Sequence, residues 1–229
     1  SIKSLEKRFE NKVLTEMTSF EESINFFFND ITIPKRKEIL NLELDKLEVK
    51  NKILSKNIKL EIYGNEHVVI IGKNGVGKTT LLKHIYNILI KRKDINIGYM
   101  PQNYDEILSY YDTPLDYLKL DADKDETSII RSLMGNMNFT KEEMTNKILY
   151  LSGGTKAKLI LLKFIINNVN VLILDEPTRN VSPLSNPIIR ESLKNYKGTI
   201  ISVSHDRKYI EQVCNKKYEL TNTGINEIM

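Results

Sequence analysis

The chain has 229 residues, 41% hydrophobic and 28% charged, which suffices for one large domain with a real core or for a domain plus an appendage. Its formal net charge of +4 permits an anionic partner without demanding one. No apolar run approaches the ~20 residues of a membrane-spanning helix, and the first twenty residues are too rich in Lys and Glu for a signal peptide, so a cytoplasmic protein without membrane insertion is expected. The single cysteine, Cys214, cannot close an internal disulfide and is expected to pack as a small apolar residue in a reducing compartment. The chain opens with Ser rather than Met, so a piece of a longer protein is expected.

Residues 4–14 read as a charged amphipathic helix, with Leu5, Phe9 and Val13 at helical spacing. The cluster Phe26-Phe27-Phe28 follows and is expected to dock that segment. From residue 39 to 63 the pattern alternates. Leu40, Leu42 and Leu44, then Ile58, Leu60 and Ile62, recur every second residue and predict half-buried antiparallel strands. Val68-Val-Ile-Ile71 is wholly apolar and suits a strand buried on both faces; a glycine-rich turn and a helix over 79–91 come next.

Residues 105–150 read as short helices. Thr113-Pro114 is an N-cap with proline in the first helical position, and Thr140 with Glu143 fits a capping box. A longer helix is expected over about 155–167, and further buried strands over 171–174 and 199–203. Strands and helices in alternation predict an α/β fold with a mostly parallel core sheet.

Gly72-Lys73-Asn74-Gly75-Val76-Gly77-Lys78-Thr79-Thr80 contains the pattern G-x-x-x-x-G-K-[ST] between a predicted buried strand and a helix. Glycines let the backbone fold tightly, so that successive N–H groups form a nest for phosphate oxygens at a helix N-terminus. Lys78 is expected to reach the β- and γ-phosphates, and the Thr79 hydroxyl to bind Mg²⁺. Val171-Leu-Ile-Leu174 runs into Asp175-Glu176-Pro177, at the strand edge where open α/β sheets bind ligands. Asp175 is expected to hold Mg²⁺ through a water. Glu176, facing the other way along an extended chain, is expected to deprotonate the attacking water. His67, His84 and the Lys73 side chain are expected to have no chemical role.

Leu151-Ser152-Gly153-Gly154-Thr155, just before those carboxylates and opening a helix, resembles the signature of the ABC ATPases. Gln102 in Met100-Pro-Gln-Asn103 resembles their Q-loop, and His205 in Ser204-His-Asp-Arg207 their switch histidine. With the two phosphate-site motifs, five motifs stand in family order across residues 39–221. The resemblance implies an α/β P-loop NTPase of the ABC type, with an antiparallel β subdomain and a small helical subdomain at about 105–154. It implies ATP with Mg²⁺ as ligands, held by residues 72–80 and by Thr79, Gln102 and Asp175. It also implies that Gln102 acts in catalysis by sensing the magnesium and water site, that His205 contacts the γ-phosphate and positions the nucleophile, and that Ser152, Gly153 and Gly154 meet nucleotide held by a second ABC domain, in the same full-length chain or in a homodimer.

The stretch from Asp175 to Ser185, and Ser204-His-Asp-Arg-Lys-Tyr-Ile210, resemble the C-terminal nucleotide-binding domain of ABC-F proteins of the antibiotic-resistance branch. That resemblance implies action on the ribosome and contact with rRNA, with residues 1–30 as the tail of an interdomain helical linker and 31–229 as the ATPase domain. The competing expectation is the ATPase subunit of a membrane transporter, which the same motifs would serve. A domain that binds ATP without hydrolysing it is disfavoured by Lys78, Asp175, Glu176 and His205. Two departures stand out. Arg179-Asn180-Val181-Ser182 occupies the place of the family's Asn-His-Leu-Asp, so Ser182 replaces an aspartate. No aromatic residue lies in 39–57 to stack on adenine, leaving Leu47, another apolar residue or Phe28 as candidate covers.

Overall fold

The computed structural model describes residues 31–119, 124–136, 139–181 and 186–228. The helix expected over 4–14, Phe28 and Ser182 lie outside these. The chain divides into two compact units. Among the described residues, one comprises those of Ile31–Gln102, Val169–Arg179 and Tyr196–Met229; the other comprises those of Asn103–Asn168 and Asn180–Asn195.

The first unit opens with a long hairpin, β1 (Glu38–Val49) and β2 (Lys52–Tyr63). Register sets Leu40 opposite Ile62, Leu42 opposite Leu60 and Leu44 opposite Ile58, so the two alternating apolar series share one face. The connecting residues, Lys50 and Asn51, both have positive φ (48° and 65°), the geometry of a two-residue turn that matches strand twist.

A six-stranded sheet follows: β3 (His67–Ile71), β4 (Ile97–Met100), β5 (Val171–Asp175), β6 (Thr199–Val203), β7 (Lys216–Leu220) and β8 (Ile225–Ile228). Their order is β4-β5-β6-β3-β7-β8, with only β8 antiparallel to its neighbour. Val68–Ile70 and Val171–Leu174 are fully buried, as strands covered on both faces must be. Each such side chain contributes about 1.5–3 kcal/mol by leaving water. The Ser202 hydroxyl within this core donates to the Val68 carbonyl at 2.9 Å, which removes the penalty of burying it. Helix α1 (Lys78–Leu89) buries Leu81, Leu82, Ile85 and Leu89 against the same core.

The second unit is helical among its described residues: α2 (Asp105–Leu108), α3 (Pro114–Leu118), α4 (Lys124–Asn136), α5 (Lys141–Thr145), α6 (Gly153–Ile166) and α7 (Asn186–Asn195). The predicted Thr113 and Thr140 caps form, each as a reciprocal capping box, with Asp116 and Glu143 respectively. A last helix, α8 (Arg207–Val213), returns to the first unit and is capped by Asp206.

Sequence patterning missed β4, β7 and β8. Two of these strands have only four residues, and β7 reads Lys-Lys-Tyr-Glu-Leu, so neither length nor hydrophobicity announces them.

Candidate functional site

Parallel register gathers the predicted residues at one end of the sheet. Ile70 pairs with Val203, Val203 with Asp175, and Leu174 with Met100. The C-terminal ends of four adjacent strands therefore release Gly72, His205, Glu176 and Gln102 at the same edge. His205, Glu176 and Gln102, with Asn74 to Thr80 of the glycine-rich segment in part and the hairpin, line a cavity of about 750 Å³.

The loop from Gly72 to Gly77 needs its glycines. Gly72 has φ 150°, and a Cβ there would stand 2.4 Å from the Leu220 carbonyl oxygen. Gly77 has φ 98°, and a Cβ there would stand only 3.0 Å from the Leu47 and Leu54 side chains. Lys78 begins α1, is buried, and donates from Nζ to the carbonyls of Gly72 (2.8 Å) and Lys73 (3.0 Å). Burial lowers its pKa from the usual lysine value, while the charges of Glu176 and Asp175 oppose that shift.

Asp175 is buried at the end of β5. Glu176 does not continue the strand as expected. Its φ is 52°, a left-handed conformation that is uncommon for glutamate, and its N–H donates to the Val203 carbonyl at 2.9 Å. The turn, not strand alternation, thus separates the two carboxylates. The N–H of His205 donates to Glu176 Oε2 at 3.2 Å, and the His205 Nε2 lies 3.7 Å from Glu176 Oε1. Gln102 follows β4 directly through Pro101 and lines the cavity, as do Asn74, Gly75, Thr79 and Thr80.

Thr79, Asp175 and Gln102 offer hydroxyl, carboxylate and amide oxygens, the donor set of a hard cation. Among the described residues no group of three His, Cys, Asp or Glu could hold a metal alone. Magnesium requires no such cage, because it keeps waters and phosphate oxygens as ligands; these residues fit it.

Leu47 is buried beneath Gly77 and is absent from the cavity wall. Val49, Lys50, Lys52 and Leu54 of the hairpin line the wall instead, and so does Arg179. Sequence reading assigned none of these five. The alternation that identified the hairpin said nothing about where its tip would lie.

In the helical unit Ser152 caps α6, accepting from the Thr155 N–H at 3.1 Å. The Thr155 hydroxyl donates to Glu143 Oε1 at 2.8 Å. Its single proton being used, the 2.9 Å contact between the Ser152 and Thr155 hydroxyls must have Ser152 as donor. Burial alone would raise the Glu143 carboxyl, but the Thr140 N–H, the Thr155 hydroxyl and Lys158 outweigh it and hold the group below its ordinary value. Gly153 packs against backbone, since a Cβ there would lie 2.2 Å from the Asn180 carbonyl oxygen.

With this geometry in place, the comparisons decide the family. A family model described as ABC transporter matches residues 55–179, more than half of the chain. The chain belongs to the ABC transporter family. The Bacillus subtilis ribosome protection protein VmlR is 32% identical over 99% of the chain and 42% of its own length. The Staphylococcus epidermidis erythromycin resistance ATP-binding protein MsrA is 31% identical over 99% of the chain and 46% of its own length. Arabidopsis thaliana ABC transporter F family member 5 is 32% identical over 83% of the chain and 29% of its own length. The chain thus spans less than half the length of each of these relatives. Their number includes ABC-F proteins along nearly the whole chain, in keeping with an ABC-F nucleotide-binding domain.

The fold agrees. The dimeric ATP-binding cassette MJ0796, in a post-hydrolysis state bound to ADP and Pi, superposes with a TM-score of 0.66 at 21% identity, over 83% of the chain and 97% of the cassette. Among the described residues no helix is long and apolar enough to cross a membrane. Membership of this family implies ATP binding and hydrolysis.

Proposed function

We propose that the chain is the C-terminal ATPase domain of a cytoplasmic ABC-F protein that acts on the ribosome in antibiotic resistance. The observation that carries the chemistry is the convergence of Lys78, Thr79, Gln102, Asp175, Glu176 and His205 on one cavity at the sheet edge. The amides of residues 72–80 bind the phosphates, with Lys78 leaving its carbonyl partners for the β- and γ-phosphates. Thr79, Asp175 and Gln102 hold Mg²⁺, which when bound neutralises charge on the terminal phosphates. Glu176 accepts the proton of the attacking water, and His205 steadies that carboxylate and the γ-phosphate.

A second ABC domain completes the site. Ser152, Gly153 and Gly154 open α6 and present its N-terminal amides, a phosphate-binding arrangement. Just before them Leu149 and Tyr150 are 72% and 74% exposed, an apolar pair suited to being covered by such a domain. The relatives named for ribosome protection and erythromycin resistance favour the ABC-F reading over a transporter subunit.

Two measurements test this. Calorimetric titration with Mg-ATP should give a clear binding signal that Lys78→Ala abolishes; equal heats from both proteins would refute the phosphate site. The full-length protein carrying Glu176→Gln should co-sediment with ribosomes in the presence of ATP, less so at high salt. Co-purification with a membrane subunit instead would favour the transporter reading.

A further inference from the structure

Arg179 follows Asp175-Glu176-Pro177-Thr178 by one position, and none of the roles assigned above uses it. Its backbone is fixed: the N–H donates to the Glu176 carbonyl at 3.1 Å, closing the turn that follows β5. Its side chain lines the same cavity as Lys78, Thr79, Glu176 and His205. Among the described residues no carboxylate pairs with the guanidinium and no hydrogen bond engages it, whereas Arg92, Lys37 and Lys216 each hold an ion pair. The cavity carries four cationic side chains, Lys50, Lys52, Lys78 and Arg179, against the two carboxylates Asp175 and Glu176. Such a balance favours a polyanion.

The placement of buried Lys78 and exposed Arg179 narrows the ligand. Lys78 follows β3, and Arg179 follows β5, with β6 between them. Neighbouring strands lie ~4.8 Å apart, so the two chain segments leave the sheet roughly 10 Å from one another. Both residues line the one cavity, so a phosphate bound there lies in the field of an ammonium and a guanidinium. Lys78 belongs to the loop that cradles the whole phosphate chain. Arg179 shares the turn with Glu176, the residue beside the terminal group, and its planar fork suits two oxygens of one phosphate.

We propose that Arg179 binds the γ-phosphate and so makes this domain distinguish nucleoside triphosphate from diphosphate. The proposal rests on the phosphate-site reading given above. The guanidinium contacts only the group that ATP has and ADP lacks, so its removal weakens one ligand and spares the other.

The test is calorimetry on the 229-residue chain with Mg²⁺, using a non-hydrolysable ATP analogue and ADP as probes. Arg179→Ala should weaken the analogue about tenfold, in line with one lost charge-assisted hydrogen-bonded pair, and change ADP less than about twofold. Arg179→Lys should recover part of the loss, because it restores charge without the fork. Unchanged analogue affinity in a folded Arg179→Ala protein overturns the proposal, and so does an equal loss for both nucleotides. Lys78→Ala, titrated in parallel, separates the two readings. If Lys78→Ala abolishes binding while Arg179→Ala does not discriminate, only the role of Arg179 fails. If Lys78→Ala binds as the native chain does, the phosphate site itself fails.

Discussion

The N–H of His205 donates to Glu176 Oε2 at 3.2 Å, while the His205 imidazole stands 3.7 Å from the other carboxylate oxygen. Two strands make this possible: β5 ends at Asp175 directly opposite Val203, the last residue of β6. Glu176 is only 12% exposed and His205 is 53% exposed, so the acid is fixed and the histidine is open to ligand.

Glu176→Gln keeps the hydrogen bond from His205 but cannot take a proton. Steady-state ATP turnover should fall by ~10²–10⁴-fold with nucleotide affinity retained. A phosphate-release assay beside equilibrium binding checks both halves. Undiminished turnover would remove Glu176 from the proton transfer.

Gly153 and Gly75 should respond differently to alanine. At Gly153 a Cβ would strike the Asn180 carbonyl oxygen at 2.2 Å, and backbone cannot swing aside as a side chain can. Gly153→Ala should cost about 1–3 kcal/mol of stability, by forced overpacking. Gly75 has open space around it but a φ of 84°, so Gly75→Ala should cost about 1–2 kcal/mol through backbone strain alone. Urea unfolding midpoints measure both. Of the two, Gly75→Ala should weaken nucleotide binding directly, because its amide belongs to the phosphate loop.

The brace under the signature loop predicts a further effect. Thr155 links Ser152 to Glu143, and replacing it by valine strips two hydrogen bonds while preserving shape. Thr155→Val should destabilise the chain by about 1–3 kcal/mol, since the half-buried Glu143 loses a partner. Thr155→Ser, which keeps the hydroxyl, should recover most of it. Thermal melts of the two variants compare directly.

What the sequence disclosed and what it withheld have physical causes. The phosphate loop was legible because Gly72, Gly75 and Gly77 sit at positive φ, which few other residues tolerate, so the chemistry is written in residue type. The central strands were legible because burial on both faces requires unbroken apolar runs such as Val171–Leu174. Alternation in 39–63 gave the hairpin correctly, yet the identity of the cavity wall depends on where Val49, Lys50, Lys52 and Leu54 arrive after folding. The link between Thr155 and Glu143 spans twelve positions and leaves no local pattern. Residue type at Glu176 suggests only a continued strand; its left-handed turn is held by a hydrogen bond to the Val203 carbonyl, a partner 27 positions away that no local pattern announces.

His67 gives the chain a pH dependence unrelated to catalysis. Its ring is buried at the start of β3, with Nδ1 2.9 Å from the Val213 carbonyl and Tyr196 stacked beside it. Burial lowers its pKa below 6.5, and the carbonyls of Val213, Tyr196 and Gly198 oppose this only in part. The folded imidazole therefore stays neutral at a pH where the unfolded chain already binds a proton. Stability is full above about pH 6.5, is lost as pH falls from there toward the depressed folded value, and loses nothing further from this group below it. His67→Gln cannot titrate, so its unfolding midpoint should change less between about pH 7.5 and about pH 5.5 than that of the native chain. Parallel profiles for the two proteins would mean that protonation of His67 is not what weakens the fold in acid.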